Sequence, residues 1–190
     1  MGINKLIGKK ISTLRTLKKF EPEDLAFKAG LSEKQLDSIE SGNSIPSLGV
    51  LIRITRAMGI RIGTLLDDTV REGPSIIRAN EYQSTLSFST SENENREHLT
   101  FFSLAPNKTG RHMEPFIIEI IPNEKSEPAK SSHEGEEFIY VLEGKVTVYY
   151  GNDIFELEKG DSIYLDSVVN HLVTTKINKA TILGIVYVPV

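Results

Sequence analysis

The hydrophobic pattern of this chain changes period once, near Gly73-Pro74, and that change does most to limit its architecture. Before it, apolar residues recur every three or four positions, the spacing of amphipathic helices. After it, short runs alternate between apolar and polar, the spacing of strands. A single layer cannot be built from both patterns. The sequence therefore predicts an all-α domain over 1–70, a linker with the first edge strands over 71–98, and an all-β domain over 99–190.

In the first domain Ile3, Leu6, Ile7, Ile11, Leu14 and Leu17 mark one helix of about five turns. Pro22 suits the first position of a second helix, which Gly30 would end. Ser32-Glu33-Lys34-Gln35 is a capping box opening a third helix, anchored by Leu36 and Ile39 and closed by Gly42. Pro46-Ser47 opens a fourth, carrying Leu48, Leu51, Ile52, Ile54 and Met58 and stopped by Gly59. A short fifth follows at Ile62–Leu66. Two short helices joined through Ala29-Gly30-Leu31 suggest a helix-turn-helix.

Over roughly 7–66 the segment resembles the Cro/phage-repressor-like (XRE) family, through its -LA-KAGLS- run, the -IESG- helix end and the -PSL-L-I--AMGI- tail. The resemblance implies a five-helix, lambda-repressor-like domain that binds a double-stranded DNA operator through its third helix. Carried over by position, Glu33, Lys34, Gln35 and Ser38 would read base edges, while Ser32, Asn43 and Ser44 would approach phosphates. Glu33 can accept from a cytosine amino group; Asp37 and Glu40 are expected to face the protein or solvent. Residues 1–72 hold twelve Lys/Arg against nine Asp/Glu, so +3, whereas the remainder holds ten against seventeen, so −7. Plus three permits nucleic-acid binding without demanding it, so a homodimer reading two half-sites is expected.

In the second domain candidate strands run Leu99–Leu104, Phe116–Ile121, Glu137–Leu142, Lys145–Tyr150, Ile154–Leu157, Ser162–Leu165, His171–Thr175 and Thr181–Val188. The polar stretch 89–97 is read as lying between strands. "SHEGEEFIYVLEGKV" sets His133 and Glu137 four apart at the start of a strand, and "GDSIYLDSVVNH" delivers His171 later. These segments resemble the two cupin motifs, over roughly 110–188, which implies an all-β jelly-roll barrel. They also imply a metal-ligand set of His133, Glu137 and His171, a two-His-one-carboxylate group suited to Fe, Zn, Mn or Ni. Ser131 stands where the family's first histidine is usual, and Asp166 where a proline is. A metal-free barrel, with both histidines hydrogen-bonded in a polar pocket, is the other reading. Ser131, Tyr140 and Tyr164 are further pocket residues. His98 and His112 fit neither motif and are expected at the surface or in loops.

The two-domain order resembles a group of bacterial one-component regulators. It implies a sequence-specific DNA-binding transcriptional regulator whose barrel senses a small-molecule effector. The alternative is a non-haem Fe(II) cupin oxygenase resembling hydroxypropylphosphonate epoxidase. That resemblance would give Lys19 the place of an active-site lysine, but puts Phe101 where the enzyme has a tyrosine. The chain has no cysteine and no stretch of membrane-spanning length, and it opens on a periodic helix pattern. A cytoplasmic protein with no membrane partner is therefore expected.

Overall fold

The computed structural model describes residues 3–66, 74–79, 84–88, 98–106, 108, 111–122 and 130–189. The predicted boundaries near 70 and 98 border residues outside this set, and the 89–97 stretch lies outside it entirely.

Five helices form the first domain: α1 (Ile3–Leu17), α2 (Pro22–Ala29), α3 (Glu33–Glu40), α4 (Leu48–Ala57) and α5 (Ile62–Leu66). The α2–α3 turn forms for local reasons. Gly30 caps α2 in the left-handed conformation at φ 65°, which residues with a Cβ rarely adopt. Two residues on, Ser32 caps α3: its hydroxyl accepts from the Gln35 N–H, and its own N–H donates to the Gln35 side chain. Ile11, Leu25, Leu36, Leu51 and Ile54 are fully or almost fully buried between the helices. Burying each such side chain contributes about 1.5–3 kcal/mol before conformational entropy is subtracted. Glu40 turns inward, as one of the two expected placements had it, and forms a two-pronged ion pair with Arg15 at 2.7 and 2.9 Å.

Among the described residues nine antiparallel strands follow: β1 (Ser84–Phe88), β2 (Leu99–Ser103), β3 (Met113–Ile120), β4 (Glu136–Glu143), β5 (Lys145–Tyr150), β6 (Asp153–Glu158), β7 (Ser162–Asp166), β8 (His171–Thr174) and β9 (Ala180–Tyr187). They form a six-stranded sheet in the order β1-β2-β3-β9-β4-β7 and a three-stranded sheet in the order β6-β5-β8. Phe116, Val141, Val146, Val148 and Ile182 are buried in the barrel interior. β3 begins three residues before the expected Phe116, because its pairing with β9 runs on to Met113 opposite Tyr187. Of the two expected placements for His98 the loop one holds: it lies outside the strands and is only 5% exposed. It directly precedes β2, and its carbonyl accepts from the Ile121 N–H just beyond β3. His112 is exposed, as expected.

One side of α4 lies against the barrel. Gly49, Arg53 and Arg56 recur at helical spacing along it. Arg53 donates to the Ser132 carbonyl at 3.4 Å, Arg56 pairs with Glu134, and beyond the helix Arg61 donates to the Arg111 carbonyl at 3.4 Å. No described helix is long and apolar enough to cross a membrane.

Candidate functional site

His133, Glu137 and His171 come together at the mouth of the barrel under α4. Glu137 is on β4, where alternation turns residues 137, 139 and 141 inward. His133 lies just before the strand, its N–H donating to the Ser167 carbonyl at 2.9 Å. His171 opens β8 and exchanges two backbone hydrogen bonds with Ser131, each 2.9 Å. Between His133 and Glu137 the chain passes Gly135 at φ 112°, where an added Cβ would run into the Tyr187 carbonyl oxygen. Only glycine permits that approach, so the path that brings His133 back to Glu137 depends on it.

The ring nitrogens determine what the cluster requires. His133 Nδ1 lies 3.1 Å from the Glu134 carbonyl oxygen, and His171 Nδ1 lies 2.8 Å from that of Val169. A carbonyl oxygen only accepts, so each Nδ1 carries the hydrogen. Each Nε2 then faces Glu137 Oε1, at 2.7 Å from His133 and 3.5 Å from His171. In a neutral imidazole those Nε2 atoms are lone pairs aimed at a carboxylate, so a cation must lie between them, either a proton or a metal ion. The backbone carbonyls behind the rings are the outer partners that orient histidine ligands in metal sites. One ligand atom from each residue lies within 4.8 Å of the others. The donor set fits a divalent ion with positions left for another ligand. Without one, burial raises the Glu137 carboxyl, but the hydrogen bonds and charges of the two histidines outweigh it and hold it down at about 2. Burial likewise lowers His171, and the Glu137 carboxylate more than reverses it, so its pKa is raised.

The cluster opens into a chamber of about 570 Å³, lined by both domains. Ser131 lines it, as expected, and an added Cβ on Gly49 would sit 3.5 Å from both Ser131 Cβ and His133 Cδ2. Tyr140 and Tyr164 do not line it, which corrects their assignment to the pocket. Tyr140 is one residue out of phase with Glu137 and is exposed. Tyr164, opposite Phe138 on the same outer face, is 62% exposed and bonds Glu136 at 2.6 Å. Sequence reasoning missed Arg53, a charged residue within an otherwise apolar helix stretch, which lines the chamber. Of the residues with an expected DNA role, Ser32, Lys34, Gln35, Ser38 and Ser44 also line it, while Glu33 and Asn43 are exposed and do not. Lys19 is not among the lining residues; it takes φ 59° in the turn after α1.

The Helix-turn-helix family HTH_3 matches residues 11–65, and the Cupin domain family Cupin_2 matches residues 116–186. The two matches give the chain a helix-turn-helix region followed by a cupin region. A crystal structure of an HTH_3 family transcriptional regulator from Vibrio cholerae is similar to this helix-turn-helix–cupin chain at TM-score 0.71 and 22% identity, covering 99% of this chain and 98% of that one. Hydroxypropylphosphonic acid epoxidase from S. wedmorenis is similar at TM-score 0.50 and 20% identity, covering 97% and 98%. A structure of FeII HppE is similar at TM-score 0.51 and 21% identity, covering 98% and 100%. At these identities the likeness is one of fold. No curated protein matches the chain.

Proposed function

We propose that this helix-turn-helix–cupin protein is a sequence-specific transcriptional regulator that binds a double-stranded DNA operator as a homodimer. Its barrel senses a small-molecule effector through a divalent metal held by His133, Glu137 and His171. The observation that carries the reading is the shared chamber: the helix expected to read DNA and the metal-ligating cluster line one space. An effector there contacts both domains, so it has the differential contact with two domain arrangements that coupling requires. A coupling of about 1–3 kcal/mol changes operator affinity roughly 5- to 150-fold. A bound ion would supply open coordination positions for oxygen or nitrogen donors of the effector. On α3, Lys34 and Ser38 are the readers, since the Gln35 side-chain oxygen already accepts from the Ser32 N–H and hydroxyl.

The test is selection of genomic fragments by purified protein, followed by a salt titration on the recovered site. A discrete operator, lost in Lys34→Ala/Ser38→Ala with the fold intact, is expected. Binding that is blind to sequence refutes the reading.

The donor set and the fold likeness to FeII HppE favour a second reading, a non-haem Fe(II) oxygenase. Against it, Phe101 brings no hydroxyl to the chamber and Lys19 is not among the lining residues. Stoichiometric iron with substrate-dependent oxygen uptake, and no operator, would establish the second reading in place of the first.

A further inference from the structure

The chamber's charge is opposite to that of the domain that supplies most of its wall. Residues 73–190 carry ten Lys/Arg against seventeen Asp/Glu. Yet among the described residues Glu137 is the only acidic one lining the chamber, and it is already engaged by two histidines. Lys34 and Arg53 of the helical domain and Lys130 of the barrel line the same chamber, with the Lys130 ammonium donating to the Gly151 carbonyl. Arg53 is fixed at the seam, with Nε donating to the Ala29 carbonyl at 3.0 Å and Nη1 to that of Ser132 at 3.4 Å. A guanidinium has five donors, and these bonds use two. Beside the polar cluster, the barrel side of the wall carries apolar Phe101, Ile118, Leu172, Val173, Ile182 and Ile185. At about 570 Å³ the space is of small-ligand size.

We propose that the chamber binds a small organic monoanion with an apolar body, a carboxylate being the class that fits, clamped between the two domains with its head group on Arg53 and Lys34. An ammonium ligand would meet only a carboxylate that is already neutralised. A neutral apolar ligand would desolvate the two cations without pairing them. The carboxylate satisfies Arg53 through charge-assisted bonds, while the tail removes apolar wall from water. Its consequence at DNA rests on the regulator reading above: Lys34 cannot serve the ligand and a major groove at once, so the anion releases the operator.

The experiment is calorimetry on the full chain with hexanoate, octanoate and benzoate, against octanol and octylamine as uncharged and cationic controls. At least one carboxylate should bind, its matched control at least tenfold more weakly. Arg53→Gln should lose at least tenfold in affinity, and Lys34→Ala severalfold. No carboxylate binding, or octanol binding as well as octanoate, overturns the proposal. If Arg53→Gln melts well below wild type, the exposed Lys34→Ala decides, and unchanged affinity there overturns the shared head-group site. In a second arm, saturating carboxylate should weaken operator binding at least fivefold, and an unchanged operator affinity overturns the competition. A wild-type protein that selects no operator refutes the regulator reading alone, because the calorimetry needs no DNA.

Discussion

Gly8 lies inside α1 and Gly49 is the second residue of α4, and replacing each with alanine should move stability in opposite directions. Alanine in a helix interior is favoured over glycine by about 0.5–1 kcal/mol wherever its methyl group fits. At Gly49 it fits: the added Cβ would make ordinary contacts at 3.5 Å with Ser131 Cβ and His133 Cδ2. Gly49→Ala should therefore stabilise by about 0.5–1 kcal/mol, with a few tenths more from new dispersion contacts. At Gly8 the Cβ would lie 2.6 Å from the Glu40 carbonyl oxygen and nearer still to that of Ile39. Those oxygens belong to the last turn of α3 and cannot withdraw unless the helix shifts. Overpacking of this kind costs about 1–3 kcal/mol, so after the propensity gain Gly8→Ala should lose about 1–2 kcal/mol. For a chain of this size the melting temperature should rise about 1–4 °C in the first variant and fall about 2–8 °C in the second. Circular dichroism melts, checked by guanidinium titration, read both. Gly8→Ala melting at or above wild type would refute the close α1–α3 approach. Gly49→Ala melting below wild type would refute the seating of α4 on the barrel.

Other outcomes follow from the same geometry. Glu40→Ala strands Arg15, whose side chain is 14% exposed; a loss of about 2–3 kcal/mol is expected in denaturant titration, and less than about 0.5 would refute a structural role for the pair. His133→Ala, Glu137→Gln and His171→Ala should each strip metal from the purified protein by elemental analysis, and equal metal in all four proteins would end the ligand assignment. In metal-free protein the raised His171 pKa contributes stability that is fully present below about 6.5 and is lost as pH rises through the higher folded value. The Glu137 contribution is present above the ordinary carboxylate range and lost only as pH falls toward about 2. Chelated protein should therefore melt at a higher temperature at pH 6 than at pH 8, and the reverse order would contradict the His171–Glu137 pairing. Tyr164→Phe removes only an exposed bond to Glu136 and should change neither metal content nor effector response.

What could be read from the sequence was whatever local chemistry decides. Ser32 and Gln35 cap α3 whatever surrounds them, and Gly30 ends α2 because the turn needs its backbone. The period-two rule also placed Glu137 inward. The same alternation turns Tyr140 to the outer face of β4, away from the pocket. Tyr164 failed for a non-local reason: its face follows from pairing with Phe138 on a strand some twenty-five residues away. Arg53 was invisible for a related reason. A lone arginine in Leu48-Gly49-Val50-Leu51-Ile52-Arg53 reads as solvated helix surface until the barrel is placed against α4. His98 is a loop residue as read, but its burial follows from the β2–β3 pairing beside it.

The seam along α4 also limits how this protein can be taken apart. Leu51 and Ile54 hold that helix in the helical core, while Gly49 and Arg53, on its other side, close the barrel mouth. The two halves are therefore not interchangeable cassettes. A barrel expressed alone, or fused to a foreign reader, would keep His133, Glu137 and His171 but lose its roof and the two cations, Lys34 and Arg53, that the helical domain brings. Chimeras should then retain metal and lose ligand selectivity, and relatives that trade readers would have to trade α4-facing barrel residues with them.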